Sequence, residues 1–349
     1  MPATSIDTFL ACTVIITATL IATGFLFSSM QTSINNTKDI NKNSYLQSIA
    51  EQIITNPGSP TDWGASNLVP TDFGLARSTS NSYELDIDKV SRLNSQNYFS
   101  LQYADMLKAS KLNNVALGIS ASQVMSIIIQ QTSDDNLKTT NSFNFTVSTN
   151  INSEPTNANL TAYVFANNVL ENITADIQNT EVGVNNFAVQ IPTNAEDNAM
   201  LVVFARASFD SRITSYGVYS FLSAAQEIAP SNDTLVLTPI NYTLSIMTNL
   251  SDLTIQNGYI LSFDHQQTLS LPENGSQCLI PKLIDQSPYV IILNGVNNGT
   301  YVQTWTAYPQ IPLNAGSSFS GSEQNVFSYT VTINDVLYKV EISFGDVTP

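Results

Sequence analysis

The stretch from Asp7 to Asn56 constrains this chain more than any other. It opens with an uncharged run, Thr8 to Ser29, whose centre reads FLACTVIITATLIATGFLF from Phe9 to Phe27. It then continues without proline or glycine until Pro57-Gly58. A membrane-spanning helix needs about 20 mostly apolar residues, and the run meets that length. Beyond it, apolar residues recur at Met30, Ile34, Tyr45, Ile49 and Ile53, spaced by four on either side of a polar middle. The pattern predicts one long helix, half of it suited to a bilayer and half outside. Everything after Pro57 reads as a body carried on that helix.

The chain has 349 residues, enough for two or three domains at about 100–200 residues each. Charged residues make up 11%, well under the usual ~25%. Polarity comes instead from 75 serines and threonines and 37 asparagines, a surface common in exported proteins. The net charge is -16, with 12 basic residues and no basic cluster. Phosphate neutralisation needs such clusters, so nucleic-acid binding is not expected. Of the two cysteines, Cys12 lies in the apolar run and Cys278 far down the chain, which leaves no disulfide framework. Nine Asn-x-Ser/Thr sequons occur, at Asn35, Asn144, Asn159, Asn172, Asn232, Asn241, Asn249, Asn274 and Asn298. This composition yields about eight by chance, so they permit N-glycosylation without arguing for it.

A cleavable secretory signal wants a basic start and an apolar core of about 7–15 residues. Here no Lys or Arg precedes a longer core. A membrane anchor fits better. Lys38 and Lys42, read by the positive-inside rule, would place the body in the cytoplasm. They lie well beyond the core with Asp39 between them, and the lysine-poor, Thr/Asn-rich body reads as extracellular. The run also resembles the N-terminal helix of type IV pilins and archaeal pilin-like proteins. Ala3-Thr4-Ser5-Ile6-Asp7 puts an acid five positions into a mature chain that starts at Ala3. The resemblance implies a filament in which the apolar helices bundle through Phe9, Leu10, Ile15, Ile16 and Leu20. Asp7 would pair with the free amine of the next subunit, because an unpaired charge there is expensive. The family's leader carries basic residues and a small residue before its cleavage point, and Met1-Pro2 supplies neither. Asp7 also admits a plain reading, as an interfacial polar residue ahead of a span.

Residues 57–77, PGSPTDWGASNLVPTDFGLAR, are punctuated by Pro57, Gly58, Pro60, Gly64, Pro70 and Gly74. This predicts an ordered irregular loop plugged onto a core by Trp63 and Phe73. Asp86 or Asp88 caps a helix start, and Tyr98, Leu101, Met106 and Leu107 predict an amphipathic helix to about Ser110. Two carboxylates are too few for Ca²⁺, which takes six to eight oxygen ligands, so capping is the preferred role of that pair. Trp-Gly, Phe-Gly-Leu-Ala and Leu85-Asp86-Ile87-Asp88-Lys89-Val90-Ser91-Arg92-Leu93 together resemble a pattern in archaeal membrane-anchored, pilin-like surface proteins. That resemblance brings no activity with it.

From Val124 the period changes to two. VMSIIIQQ, Phe143–Asn150, Asn159–Asn168, Asn185–Pro192, Ala199–Ser208 and Tyr216–Ser223 are predicted strands, and their spacing predicts a β-sandwich. An alternating strand followed by a Pro-Thr-Asn-Ala-Asn turn resembles Ig-like domains of prokaryotic surface proteins. The last third is predicted β as well: 234–237, 242–248, 259–263, 268–271, 289–293, 301–307, 327–333 and 336–343, with Asn334-Asp335 as a two-residue hairpin turn. The expected fold is mainly β, a long N-terminal transmembrane α-helix ahead of a tandem Ig-like β-sandwich ectodomain. The expected divisions are 1–56, 57–123, 124–223 and 224–349.

Chemistry is sparse. His265, the one histidine, adjoins Asp264 in a turn; neighbouring strand side chains point to opposite faces, so the pair reads as surface. One histidine excludes multi-His zinc sites. Cys278 reads as a small buried residue. No nucleophile elbow, P-loop or dinucleotide fingerprint occurs. Scattered carboxylates leave a surface hydrolase as a remote alternative. The expectation is a non-enzymatic surface protein without cofactor, structural or adhesive in role. It is held in the membrane by its helix and associates with itself or other pilin-like subunits. The rival is a single-pass anchored binding or scaffold protein that does not polymerise.

Overall fold

The computed structural model describes residues 3–346 apart from 79–82, 113–114, 137–139, 167–168, 175–176, 193–198, 222–234, 251, 272–275, 283–286, 318 and 320–323. Residues 1–51 and 52–349 are two separate units. Helix α1 runs unbroken from Ala3 to Thr55, 53 residues. From Phe9 to Gln31 it is strongly apolar, with a mean hydropathy of 2.2, and none of that window is buried. The buried positions near its end are Leu46, Ala50, Ile53 and Ile54, while Tyr45 stays 58% exposed. Of the expected stripe, Ile53 is buried, Ile49 is half-buried and Tyr45 is exposed, so the buried face is centred on Leu46 and Ala50.

The second unit is mainly β. Its first sandwich is built from 125–221. The outer sheet orders Met125–Asn136, Thr140–Ile151, Val184–Pro192 and Gln178–Glu181, all antiparallel. The middle sheet orders Thr214–Phe221, Ala199–Ala207, Ala158–Ala166 and Val169–Asn172. Side chains alternate between the two faces of a strand. Phe143, Phe145, Val147, Phe187 and Val189 of the outer sheet thus meet Leu160, Ala162, Val164, Leu201 and Val203 of the middle one. Each large side chain buried this way contributes about 1.5–3 kcal/mol.

The middle sheet has a second covered face. Tyr163, Phe165, Met200, Val202 and Phe204 pack on Leu261, Val290, Ile292 and Ala307. Those belong to a third sheet, ordered Gln266–Thr268, Leu253–Leu261, Tyr289–Asn297 and Thr300–Tyr308. Strand Ala199–Ala207 is accordingly buried along nearly its whole length. A small sheet of Leu235–Ile240, Thr243–Thr248 and Gln277–Leu279 completes this part.

The last sheet joins distant pieces of chain. Val115–Gln123 lies between Leu313–Gly316 and Val336–Asp346, and Asn325–Ile333 forms the far edge. Sequence reading left Val115–Gln123 inside a loop-and-helix segment. Its Ala, Gly and Ser content is a poor strand signal, and pairing with the C-terminal strand makes it one. The expected strand 268–271 is instead Gln266–Thr268. Asn334 and Asp335 both have positive φ, 48° and 66°, which is the two-residue turn expected. The same turn recurs at Asn152-Ser153, Asn241-Tyr242 and Asn298-Gly299.

Between Arg92 and Gln102 the expected helix is interrupted, leaving α2 (Ile87–Ser91) and α3 (Tyr103–Ser110). Asn94 Oδ1 accepts from the Gln96 amide and Asn97 Oδ1 from the Phe99 amide, both at 2.9 Å. Such local side-chain bonds compete with helix and turn the chain.

Candidate functional site

Two features stand apart from ordinary packing, one in each unit. The first is the apolar segment of α1. Four threonines, Thr13, Thr17, Thr19 and Thr23, interrupt its aliphatic sequence. Each hydroxyl donates to the carbonyl four residues back, at 2.7 to 2.9 Å. A hydroxyl needs a partner wherever water is absent, and these find theirs inside the helix. Phe9–Gln31 is long and apolar enough to cross a membrane, by length and composition. Of the expected assembly residues, Phe9, Leu10, Ile15, Ile16 and Leu20 are all more than half exposed. Asp7 lies in α1, but its side chain falls outside the described residues.

The second feature is a clasp built from the quoted loop and helix motifs. Trp63 and Phe73 are buried, ring centroids 6.0 Å apart, and the Trp63 indole N–H donates to the Gly74 carbonyl at 3.1 Å. Asp86 caps α2, accepting from the Asp88 and Lys89 amides at 3.0 Å. Lys89 is fully buried, and its ammonium donates to the carbonyls of Pro57 at 2.8 Å and Ala76 at 2.7 Å. Arg92 donates to the carbonyls of Trp63, Ser66, Leu68 and Phe99 and sits 5.4 Å from the Trp63 ring centroid. Irregular chain cannot satisfy its own carbonyls as a helix does. Two buried cations with many donors do it for the loop.

The glycines of the motif have matching reasons. A Cβ at Gly74 would lie 2.1 Å from the Asn56 carbonyl oxygen, and one at Gly64 would lie 2.5 Å from the Lys89 nitrogen. The loop also ties down the last turn of α1 and the residue after it: Leu75 donates to Ile53 O and Ala76 to Asn56 O. Burial pushes the Lys89 ammonium and the Arg92 guanidinium below their ordinary values, with Asp86 opposing the shift at Lys89.

Asp88 reaches away from the loop. Its Oδ1 accepts from the Tyr308 hydroxyl at 2.6 Å and the Asn241 amide at 2.7 Å. Burial pushes its carboxyl above the ordinary value, partly offset by these two donors. Asn94 and Asn97 bond the Gln310 backbone and side chain, and the Gln310 amide donates to Thr306 Oγ1 and the Leu237 carbonyl. The 85–97 segment thus fastens the loop on one side and the last third of the chain on the other. Sequence reading found the motif and left the cap to Asp86 or Asp88, of which the structure uses Asp86; the buried roles of Lys89, Arg92 and Asn97 carried no sequence signal.

The remaining expected positions are dispersed. His265 is exposed in a turn, its backbone bonded to Ser262. Asp264 pairs with Arg206 at 3.0 Å. Cys278 is buried, which pushes its thiol up to about 11. Among the described residues no group of three or more His, Cys, Asp or Glu is placed to hold a metal. Asn159, Asn172, Asn241, Asn249 and Asn298 are exposed and Asn144 is half-buried. Asn232, Asn274 and the Asn35 side chain lie outside the described residues.

No family model matches the chain, and no curated protein does. Among solved structures it is similar to HBP35 of Porphyromonas gingivalis, at 12% identity and a TM-score of 0.20, covering 52% of this chain and 63% of that one. It spans less than two thirds of that protein. It is also similar to an I-band fragment of titin, at 8% identity and a TM-score of 0.16, covering 60% and 83%. At such TM-scores neither likeness carries an argument. The fold stands on the sheets described above.

Proposed function

We propose that this chain is a cell-surface structural subunit, held in the membrane by α1 and able to associate with copies of itself or with related subunits through the Phe9–Gln31 segment. One observation carries the reading: that segment is 23 residues long, strongly apolar, wholly unburied, and internally satisfied at every threonine. Apolar surface of this extent needs a bilayer or other helices around it. The clasp supports a mechanical role, since it secures the chain leaving the helix with buried cations and close-packed glycines. In the finer form of the proposal the protein is a pilin-like subunit of an archaeal-type filament, or a minor component of one. Its body is extracellular and adhesive, and its exposed sequons accept glycans. Asp7 then pairs with the amine of a neighbouring N-terminus.

Electron microscopy of cells carrying Asp7→Ala tests this form. The proposal expects filaments to be lost while the body stays folded and membrane-bound. Normal filaments from that variant overturn the pilin-like form. Ile16→Lys tests the anchoring itself, because a charge at the middle of the span costs about 2.5–3.5 kcal/mol on insertion scales. It should move the protein from the membrane to the soluble fraction.

A further inference from the structure

A cleft of about 360 Å³ opens beside Trp305 in the mainly β unit, within the range of about 300–1,000 Å³ common for small-ligand sites. Its lining contains no Asp, Glu, Lys, Arg or His. Trp305 is half-buried on strand Thr300–Tyr308, edge-on to Tyr216 with ring centroids 6.3 Å apart. The Tyr216 hydroxyl is committed to the Ile311 carbonyl. The other tryptophan, Trp63, is fully buried. The amides of Asn94 and Gln310 are spent inward, holding the cleft's walls. Those of Gln96 and Asn314, half-buried and exposed, have no hydrogen-bond partner among the described residues, and neither has the Trp305 indole N–H.

We infer that this cleft binds a neutral saccharide, one ring stacked on Trp305 and its hydroxyls bonded by Gln96 and Asn314. A sugar ring presents an apolar C–H face whose hydrogens suit the negative face of an indole. Its hydroxyls donate and accept at once, as carboxamides do. A charged ligand would find no counter-charge here. Polyproline segments dock in grooves lined by several exposed aromatics, whereas of the two aromatics lining this cleft Tyr216 is buried and Trp305 alone is half-buried. A larger concavity of about 1030 Å³ on the outer sheet also has amides and hydroxyls. Its aromatics, Phe145 and Phe187, are buried in the sandwich core, so it offers no stacking surface. The inference rests on the body alone and is independent of how α1 associates.

The full chain, in lipid nanodiscs free of glycoside detergents, is screened against an array of neutral hexose and N-acetylhexosamine oligosaccharides, with acidic glycans and decaproline alongside. The tightest binder is then titrated by tryptophan fluorescence and calorimetry. The inference expects a neutral oligosaccharide to bind with an emission change that Trp305→Phe removes. Gln96→Ala and Asn314→Ala, both at accessible side chains, should each weaken binding by about tenfold with unchanged melting temperature. Thr146→Ala, in the larger concavity, should leave it intact. Failure of every neutral oligosaccharide to bind, equal affinity in the Gln96 and Asn314 variants, or preference for acidic glycans or decaproline would overturn it.

Discussion

Lys89→Met isolates what the clasp contributes. The substitution keeps an unbranched side chain of similar length and deletes two hydrogen bonds, to Pro57 O at 2.8 Å and Ala76 O at 2.7 Å. Hydrogen bonds from a charged donor contribute about 1.5–3 kcal/mol each, so the gross loss is about 3–6 kcal/mol. Part returns, because the variant no longer holds an ammonium out of water, a cost visible in the lowered proton affinity of Lys89. The net expectation is a loss of about 2–4 kcal/mol, since two buried carbonyls lose their partner. Urea titration of the full chain in nanodiscs reads it. Fluorescence is a suitable probe, since Trp63 sits in the clasp. Lys339→Met is the control: Lys339 pairs with Glu341 at 2.7 Å, but both side chains are more than a third exposed. Such a pair should contribute under about 1 kcal/mol. Equal, small losses in the two variants would refute the argument that Lys89 holds the loop.

Three further outcomes are expected. Asp88→Asn tests the sign of the buried carboxyl. Its folded proton affinity is raised above the ordinary 3.8, so its contribution is fully present below that pH and declines as pH rises through the folded value. The asparagine variant should flatten the stability profile upward from pH 3.8 in chemical denaturation, and a profile unchanged in slope would contradict this. Ser153→Gly should stabilise the chain by about 0.5–1 kcal/mol, because Ser153 has φ of 70° in a two-residue turn where glycine pays no Cβ penalty; a lower melting temperature in the variant counts against it. Cys278 should resist alkylation at neutral pH, its thiol being buried and pushed up to about 11. Mass spectrometry showing rapid modification of the folded chain contradicts that.

The main features of the fold were legible because they rest on local periodicity. The long helix follows from an unbroken run of helix-compatible residues, and Phe143, Phe145 and Val147 announce a strand with one buried face. Asn334-Asp335 announces its turn because few other residues tolerate two successive positive φ values. The Trp-Gly, Phe-Gly and Asp-x-x-Lys-Val-x-Arg motifs were visible as motifs. Their meaning was not, because which carbonyls Lys89 and Arg92 satisfy depends on how a loop 13 to 32 residues earlier in the chain folds back.

What the sequence determined alone is therefore what neighbours in the chain decide: helix, strand, turn and the apolar segment of α1. Tertiary structure decided the pairings. Val115–Gln123 became a strand only between Leu313–Gly316 and Val336–Asp346, about two hundred residues on. The middle sheet was covered on both faces, although its run AMLVVFARA shows only that both sides are apolar. The same holds for the two tryptophans. Nothing in composition separates Trp63, locked in the clasp, from Trp305, which lines an open cleft. Burial is a property of what the rest of the chain places nearby, and alternation along one strand cannot encode that.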